Sequence, residues 1–135
     1  MNSPITLLIT IFTLFAPPTH AASEANWVLI GKTETMTIKI DKSSLKRNGD
    51  LVTAWESYVD AKDKKSTKIL SEYNCKTNQS KGLSVSVYPT LDFTGRPITY
   101  PPQKDWSYVV RETIGEDMIN YVCKNTPKGL MDYFK

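Results

Sequence analysis

Residues 36 to 60, "MTIKIDKSSLKRNGDLVTAWESYVD", contain two alternating segments on either side of a polar run. In the first segment Met36, Ile38 and Ile40 alternate with polar side chains, as in a strand with one buried face. Residues 51–60 have apolar side chains in both alternations, so we expect this strand to be covered on both sides. Asn48-Gly49 supplies a positive φ, in a connection of about ten residues that is longer than a tight turn. The stretch predicts an antiparallel hairpin.

The strand pattern extends in both directions from this hairpin. Residues 26–32 precede it as a further strand. In residues 67–75 one face carries Ile69, Tyr73 and Cys75, which places the cysteine on the core side. Later segments add a strand with Leu83, Val85 and Val87 inward, and a short strand at Ile98 to Tyr100 before a Pro101-Pro102 stop.

A single long helix is predicted near the C-terminus, in "RETIGEDMINYVCK" at 111–124. Thr113 followed by Glu116 matches a capping box and places the helix start near Thr113. Gly115 interrupts the apolar side of the helix, and we interpret it as the point where the helix backbone approaches the sheet. The apolar arc consists of Ile114, Met118, Ile119, Tyr121 and Val122, with Cys123 at its edge.

The N-terminal segment has the form of a signal peptide. Residues 5–16 are uncharged and mostly apolar, and prolines and small residues follow. About a dozen residues cover only about 18 Å as a helix, less than the roughly 30 Å of a bilayer core. We therefore expect residues 1–21 to be removed after Ala21, or after Ala22, and residues 22–135 to form one domain.

The composition excludes several classes of enzyme. His20 is the only histidine, and it lies in the segment predicted to be removed. Without an imidazole, a Ser-His-Asp or Cys-His catalytic group is not expected, and a zinc site would lack its usual nitrogen ligands. A net charge of +3 is too small to indicate nucleic-acid binding. No catalytic residue, cofactor or metal site is predicted.

Cys75 and Cys123 are the two cysteines of the chain. In an exported protein an even pair usually forms a disulfide. Their wide separation does not match a CxxC redox motif. Because one lies on the core side of a strand and the other beside the apolar arc of the helix, we expect a bond that attaches the helix to the sheet. Such a bond stabilises a fold by about 4 kcal/mol in the chain-entropy model.

The charged residues are interpreted as solvent-exposed. Residues 60–68 alternate lysines with aspartates and predict an exposed hairpin tip, with an anion-binding patch as the alternative. Four carboxylates on or beside strands, if paired 5 to 9 Å apart, would suit glycoside hydrolysis. Their lysine-rich surroundings favour solvated side chains instead. These four residues are Asp41, Glu56, Asp60 and Glu72.

An ordered set of residues resembles the surface-adhesin protein E-like family of bacterial exported proteins, from about Trp27 to Cys123. The set comprises Trp27, "IDKSSL" with Asp41 and Ser44, Trp55, "YNC" at 73–75, "LDFTG" at 91–95, Trp106, and "ETIGEDMINYVC" at 112–123. The resemblance implies an α+β fold with a single sheet of about six antiparallel strands and a C-terminal helix bound to it by a disulfide.

The resemblance also suggests functions. The namesake of the family is a surface adhesin for host extracellular-matrix proteins and a lipoprotein, whereas this sequence has no cysteine at its cleavage site. We therefore expect a periplasmic or secreted, non-enzymatic binding module whose partner is an extracellular or envelope protein. One alternative is a periplasmic accessory or structural protein without an adhesive role. Less favoured are a carboxylate-based hydrolase and a haem-binding protein using Met36, Met118 or Met131.

Overall fold

The computed structural model describes residues 25–126. Within that range there is no helix with the length and apolar character needed to span a bilayer. The predicted signal peptide, its cleavage positions Ala21 and Ala22, and Met131 lie outside the described residues.

The strands are β1 (Trp27–Lys32), β2 (Met36–Asp41), β3 (Lys46–Asn48), β4 (Leu51–Asp60), β5 (Lys65–Asn74), β6 (Gln79–Tyr88), β7 (Ile98–Tyr100) and β8 (Ser107–Tyr108). A 3-10 turn spans Lys42–Ser44, and the helix α1 spans Ile114–Asn125.

The strands form one antiparallel sheet in the order β1-β2-β4-β5-β6-β7. This path contains the six predicted strands, and the predicted α+β fold class is confirmed. Two short strands were not predicted: β3 pairs with β4, and β8 pairs with β6. Both are too short, at three and two residues, to produce a readable alternation.

The connection between β2 and β4 comprises residues 42–50, close to the predicted length of about ten residues. Within it, Asn48 of β3 pairs with Leu51, so Gly49 and Asp50 alone form the loop between β3 and β4. Gly49 has a φ of +61°, as the first central position of a type II′ hairpin turn requires. The long connection is therefore confirmed, whereas the tight turn inside it was not predicted, because residues 46–48 are polar yet still pair with the neighbouring strand.

The core lies between α1 and one side of the sheet. Ile38 and Ile40 of β2 and Val52 and Ala54 of β4 are buried against the helix, as their alternation predicted. From α1, the three most buried side chains are those of Met118, Ile119 and Val122. All three belong to the predicted apolar arc, which is confirmed.

The helix begins where the sequence predicted, with different capping contacts. Thr113 is the N-cap residue, but its hydroxyl donates to the carbonyl of Val110 at 2.7 Å. The Glu116 carboxylate accepts from the N–H of Glu112 at 2.8 Å, one residue before the expected donor. The helix start is therefore stabilised by Glu116, without the reciprocal contact of a capping box.

The helix packs tightly against the sheet at Gly31 and not at Gly115, so the interpretation of Gly115 was wrong. A Cβ atom added at Gly31 of β1 would lie 3.1 Å from Ile114 of the helix. One added at Gly115 would meet Thr113 and Val109, which do not belong to a strand. The side chain of Ile114 fills the space that a larger residue on β1 would need.

The C-terminal end of α1 is bound to the sheet by the predicted disulfide and by an arginine. Cys75 and Cys123 are bonded, with their Cα atoms 5.9 Å apart. Beside them, Arg47 of β3 donates to the carbonyls of Cys123, at 2.9 Å, and of Thr126. These carbonyls belong to the last turn, where the helix itself supplies no donor.

Candidate functional site

The side of the sheet opposite α1, here called the open face, is not covered by a helix within residues 25–126. Along β4, Val52, Ala54 and Glu56 point to the helix, so Trp55 and Ser57 point to the open face. Trp55 is 37% exposed. The expectation that β4 is covered on both sides was therefore wrong, because the apolar residues of its second alternation line a surface depression.

The open face contains a continuous trough. Three adjoining depressions have volumes of about 350, 340 and 360 Å³. Trp27 and Lys68 line the first two, and Trp55 and Asp41 line the last two. We call this surface the trough; its walls and floor are formed by Trp27, Thr37, Lys39, Asp41, Trp55, Ser57, Val59, Lys68, Leu70 and Phe93.

The tryptophan end of the trough is fixed by the turn after β2. Asp41 accepts from the backbone N–H of Asn26 at 2.8 Å and from that of Ser43 at 2.9 Å. Ser44 donates to the carbonyl of Asp41 and accepts from the N–H of Trp55, at 2.7 and 2.8 Å. These contacts give Asp41 and Ser44 a structural role in positioning Trp55.

The opposite end of the trough is formed by the loop between β6 and β7. The buried hydroxyl of Ser66 donates to the carbonyl of Thr90 and accepts from the N–H of Phe93, at 2.6 and 3.1 Å. Phe93 has a φ of +61°, which is unfavourable for a bulky residue. Its ring packs edge-on against Tyr88. Strained residues of this kind are concentrated at functional sites, and here the strain places a ring at the trough wall.

Two lysines lie in the trough without acidic partners. Lys39 and Lys68 each pair with Ser57, from β2 and β5 respectively. Within residues 25–126 the one ion pair joins Lys81 to Glu72, at 3.4 Å. The ammonium of Lys68 instead lies 5.1 Å from the ring centroid of Phe93, a cation–π distance. The trough thus combines aromatic side chains with two positive charges that form no ion pair with a carboxylate of the described residues.

The third tryptophan lies beside that ion pair. The Lys81 ammonium is 4.6 Å from the ring centroid of Trp106, and its partner Glu72 follows Leu70 on the open-face alternation of β5. Trp27 and Trp55 thus line the open face, and Trp106 contacts Lys81, which lies on that face.

A second polar cluster lies on the helix side, around Glu56. This residue is 2% exposed, so the expectation of a solvated side chain was wrong. Its carboxylate accepts hydrogen bonds from the hydroxyls of Tyr73 and, at 2.8 Å, Tyr58. A cavity of about 210 Å³ adjoins it, with Met118 and Gly115 of the helix in its wall.

Burial governs the ionisation of this cluster. Removal from water raises the pKa of Glu56 above its ordinary value of 4.5, although the hydroxyls of Tyr73, Ser71 and Tyr58 favour the carboxylate. Burial, followed by the charge and hydrogen bonding of Glu56, raises the pKa of Tyr58 and of Tyr73. The tyrosines therefore remain protonated donors to the carboxyl group.

The sheet does not bring the four strand carboxylates together as a catalytic pair. Asp41 is also buried, at 8% exposure, but it is occupied by backbone donors at the tryptophan end. Glu56 and Glu72 point to opposite sides of the sheet. Asp60 lies four residues from Glu56 along β4, about 13 Å away, and accepts from the N–H groups of the exposed hairpin tip. The exposed tip comprises residues 61–64, whereas residues 65–68, which the prediction included in it, belong to β5, with Ser66 buried and Lys68 half-buried.

The geometry gives little support to the two remaining alternatives, a metal site and a haem site. No group of three or more potential ligands among His, Cys, Asp and Glu occurs within the described part of the chain. Met118 is buried in the core with its sulfur 3.3 Å from the hydroxyl of Tyr58. Met36 packs against the same core. The thioether of Met118 is therefore enclosed in the core, and Met36 is partly buried against it.

Comparison with known families matches residues 27–124 to the family described as Surface-adhesin protein E. The matched range includes every strand, the trough and nearly all of α1. No curated protein gives a significant match. The family match covers most of the sequence and agrees with the predicted resemblance. The chain belongs to the surface-adhesin protein E family.

Proposed function

We propose that this protein is an exported, non-enzymatic binding module that acts in the periplasm or outside the cell and engages an extracellular or envelope partner through the trough. The main support for the proposal is the set of side chains on the open face. It presents Trp27, Trp55 and Phe93 around two lysines without carboxylate partners. Aromatic residues that combine a large contact area with a polar edge are typical of recognition surfaces.

The open face is a better candidate than the helix side. On the helix side the polar atoms of Glu56, Tyr58 and Tyr73 bond to one another, so a ligand would have to compete with those contacts. On the open face Lys39 has no such partner among residues 25–126. A binding role is further supported by the family, whose description is that of an adhesin.

A non-enzymatic role is supported by the chemistry of the side chains. The chain after the predicted cleavage contains no histidine, and its strand carboxylates lie on opposite sides of the sheet or too far apart to share a substrate bond. The positions that line the trough supply mainly hydroxyl, ammonium and aromatic groups. The carboxylate among them, that of Asp41, accepts hydrogen bonds on one oxygen from the N–H groups of Asn26 and Ser43 and from the Ser43 hydroxyl, as part of the turn after β2.

The proposal is tested by binding of the purified protein to a surface coated with extracellular-matrix extract. Trp55→Ala and Lys39→Glu should each weaken binding by about tenfold or more, since each removes a central contact. Tyr100→Ala and Lys62→Glu are matched controls. Tyr100 is 50% exposed on the helix side of β7, and Lys62 is exposed at the hairpin tip. Equal binding by trough and control variants, or no binding by the parent protein, would overturn the proposal.

A further inference from the structure

The floor of the trough contains a row of side chains that crosses three strands. Register aligns Lys39 of β2, Ser57 of β4 and Lys68 of β5. Adjacent strands are about 4.8 Å apart, so the Cα atoms of the two lysines are about 10 Å apart. The sheet thus holds the backbone positions of two lysines at a fixed spacing, with Ser57 between them.

The charge of this row favours an anionic ligand. Lys39 and Lys68 have no carboxylate partner within the described range. The nearest acid in the trough, Asp41, is 8% exposed and accepts three hydrogen bonds on one oxygen. Its charge is therefore directed toward the backbone and the Ser43 hydroxyl. A ligand that carries two anionic groups would neutralise both lysines.

The walls of the trough favour a ligand made of saturated rings that carry hydroxyl groups and expose C–H groups on their faces. Trp27 and Trp55 line the same depression as Lys68. The ring of Phe93 lies next to the ammonium group of that lysine. Aromatic faces offer apolar, weakly negative surfaces to C–H groups. Thr37 adds a partly exposed hydroxyl that can donate and accept hydrogen bonds. This combination matches the alternating C–H faces and hydroxyl edges of a sugar chain.

The backbone around the trough argues against an extended peptide. β2, β4 and β5 are each paired on both sides, so their N–H and C=O groups are occupied and a peptide cannot add to them as a strand. Recognition in the trough therefore depends on side chains. An oligosaccharide, which presents its polar groups at the rim of each ring, suits this surface better.

We infer that the trough binds an acidic oligosaccharide chain of an extracellular glycoconjugate, with a carboxylate on every second ring placed at Lys39 and Lys68 and the intervening rings against the aromatic walls. The inference rests on the proposed binding function and names its ligand class.

Titration calorimetry of the purified protein with three probes tests this ligand class. The first probe is a hexasaccharide of alternating glucuronic acid and N-acetylglucosamine. The second is the hexamer of N-acetylglucosamine, which keeps the rings and lacks the carboxylates, and the third is hexaglutamate, which keeps the charges and lacks the rings. We expect the first to bind about tenfold or more tighter than either of the others. Equal affinity for hexaglutamate, or for the neutral hexamer, would overturn the inference.

Variants locate the binding to the trough. Lys39→Gln and Lys68→Gln keep a long side chain over the floor and should each weaken binding of the acidic hexasaccharide by about tenfold. Lys62→Gln makes the same charge change at the hairpin tip and should leave binding unchanged. Circular dichroism confirms that each variant is folded. Parallel losses in all three lysine variants would show attraction by net charge alone and would contradict a site in the trough.

The outcomes separate this inference from the proposed function. If Trp55→Ala abolishes attachment to extracellular-matrix extract while the acidic hexasaccharide does not bind the parent protein, the trough is a binding surface for another ligand class and the inference fails alone. If the parent protein binds neither the extract nor the hexasaccharide, both fail. Competition of the hexasaccharide against the extract supports both.

Discussion

Glu56 is a carboxylic acid in a position that the alternation of β4 assigns to the core. Its neighbours on the same side, Ala54 and Tyr58, pack toward α1, and the hydroxyls of Tyr58 and Tyr73 satisfy its oxygens. Burial holds the pKa above the ordinary value of 4.5. At pH values between 4.5 and the raised pKa, the Glu56 carboxyl holds a proton in the folded protein and has released it in the unfolded chain.

The consequence is a defined pH dependence of stability. Because the folded state binds more protons in this window, the free energy of unfolding should fall as pH rises from about 4.5 toward neutrality. Glu56→Gln removes the titrating group and keeps an acceptor for one tyrosine. Urea unfolding at several pH values between 4.5 and 8 should show a smaller decline for this variant than for the parent protein.

Glu34→Gln is the control for that measurement. Glu34 is exposed in the turn between β1 and β2, so its replacement should leave the pH dependence as it is in the parent protein. Identical pH profiles for Glu56→Gln and the parent would show that the Glu56 carboxyl titrates alike in the folded and unfolded states.

The alternation of β4 indicated that Glu56 lies on the core side, but its charge suggested a solvent-exposed side chain. Its position in the Val52, Ala54, Tyr58 alternation placed it on the core side, but an acid at such a site is favourable only with partners, and Tyr73 comes from another strand. Lys39 and Lys68 present the reverse case. Their alternation placed them away from the core, yet only strand register brings them to opposite sides of Ser57. Pairwise placement of this kind could not be read from one strand.

The helix α1 depends on contacts at both ends and along its apolar arc. Its bounds, its buried side chains and its disulfide were predictable because they follow from local periodicity and from the two cysteines. The Arg47 contact was not, because β3 itself was not predicted. Arg47 donates to carbonyls of the last turn and to that of Gly49, and thus joins helix, hairpin and disulfide.

Arg47→Met should lower the free energy of unfolding by about 1 to 3 kcal/mol, the usual cost of losing a charged donor to partly buried carbonyls. The methionine retains much of the apolar stem, so the loss reflects the hydrogen bonds. Lys46→Met, at the exposed neighbouring position, should change stability much less. Urea unfolding of both variants provides the comparison, and equal stabilities would refute a capping role for Arg47.

Cys123→Ser should lower the free energy of unfolding by about 2 to 5 kcal/mol, because it removes the covalent attachment of the helix. Thermal unfolding without reductant measures the loss. Cys75→Ser should give a similar value, since either change breaks the same bond. Two reactive thiols in the native parent protein, or unchanged stability of the serine variants, would contradict a structural disulfide.

For the whole molecule, the prediction that remains is export. The apolar run of residues 5–16 and the small residues Thr19 and Ala21, at the third and first positions before the cut, predict cleavage by signal peptidase. Intact mass spectrometry of the protein recovered from the producing bacterium should give a chain that starts at Ala22 or Ser23. A retained Met1, or the added mass of a lipid, would disprove this processing.

Core and trough residues are interleaved along the same strands of this molecule, since successive side chains of β2, β4 and β5 point to opposite sides of the sheet. Replacements at Thr37, Lys39, Ser57 and Lys68 therefore alter the proposed recognition surface and leave the side chains that face the helix unchanged. Such a protein can evolve new specificities by point substitution, without loop insertions. A library randomised at these positions would use the disulfide-bound domain as a scaffold for engineered binders.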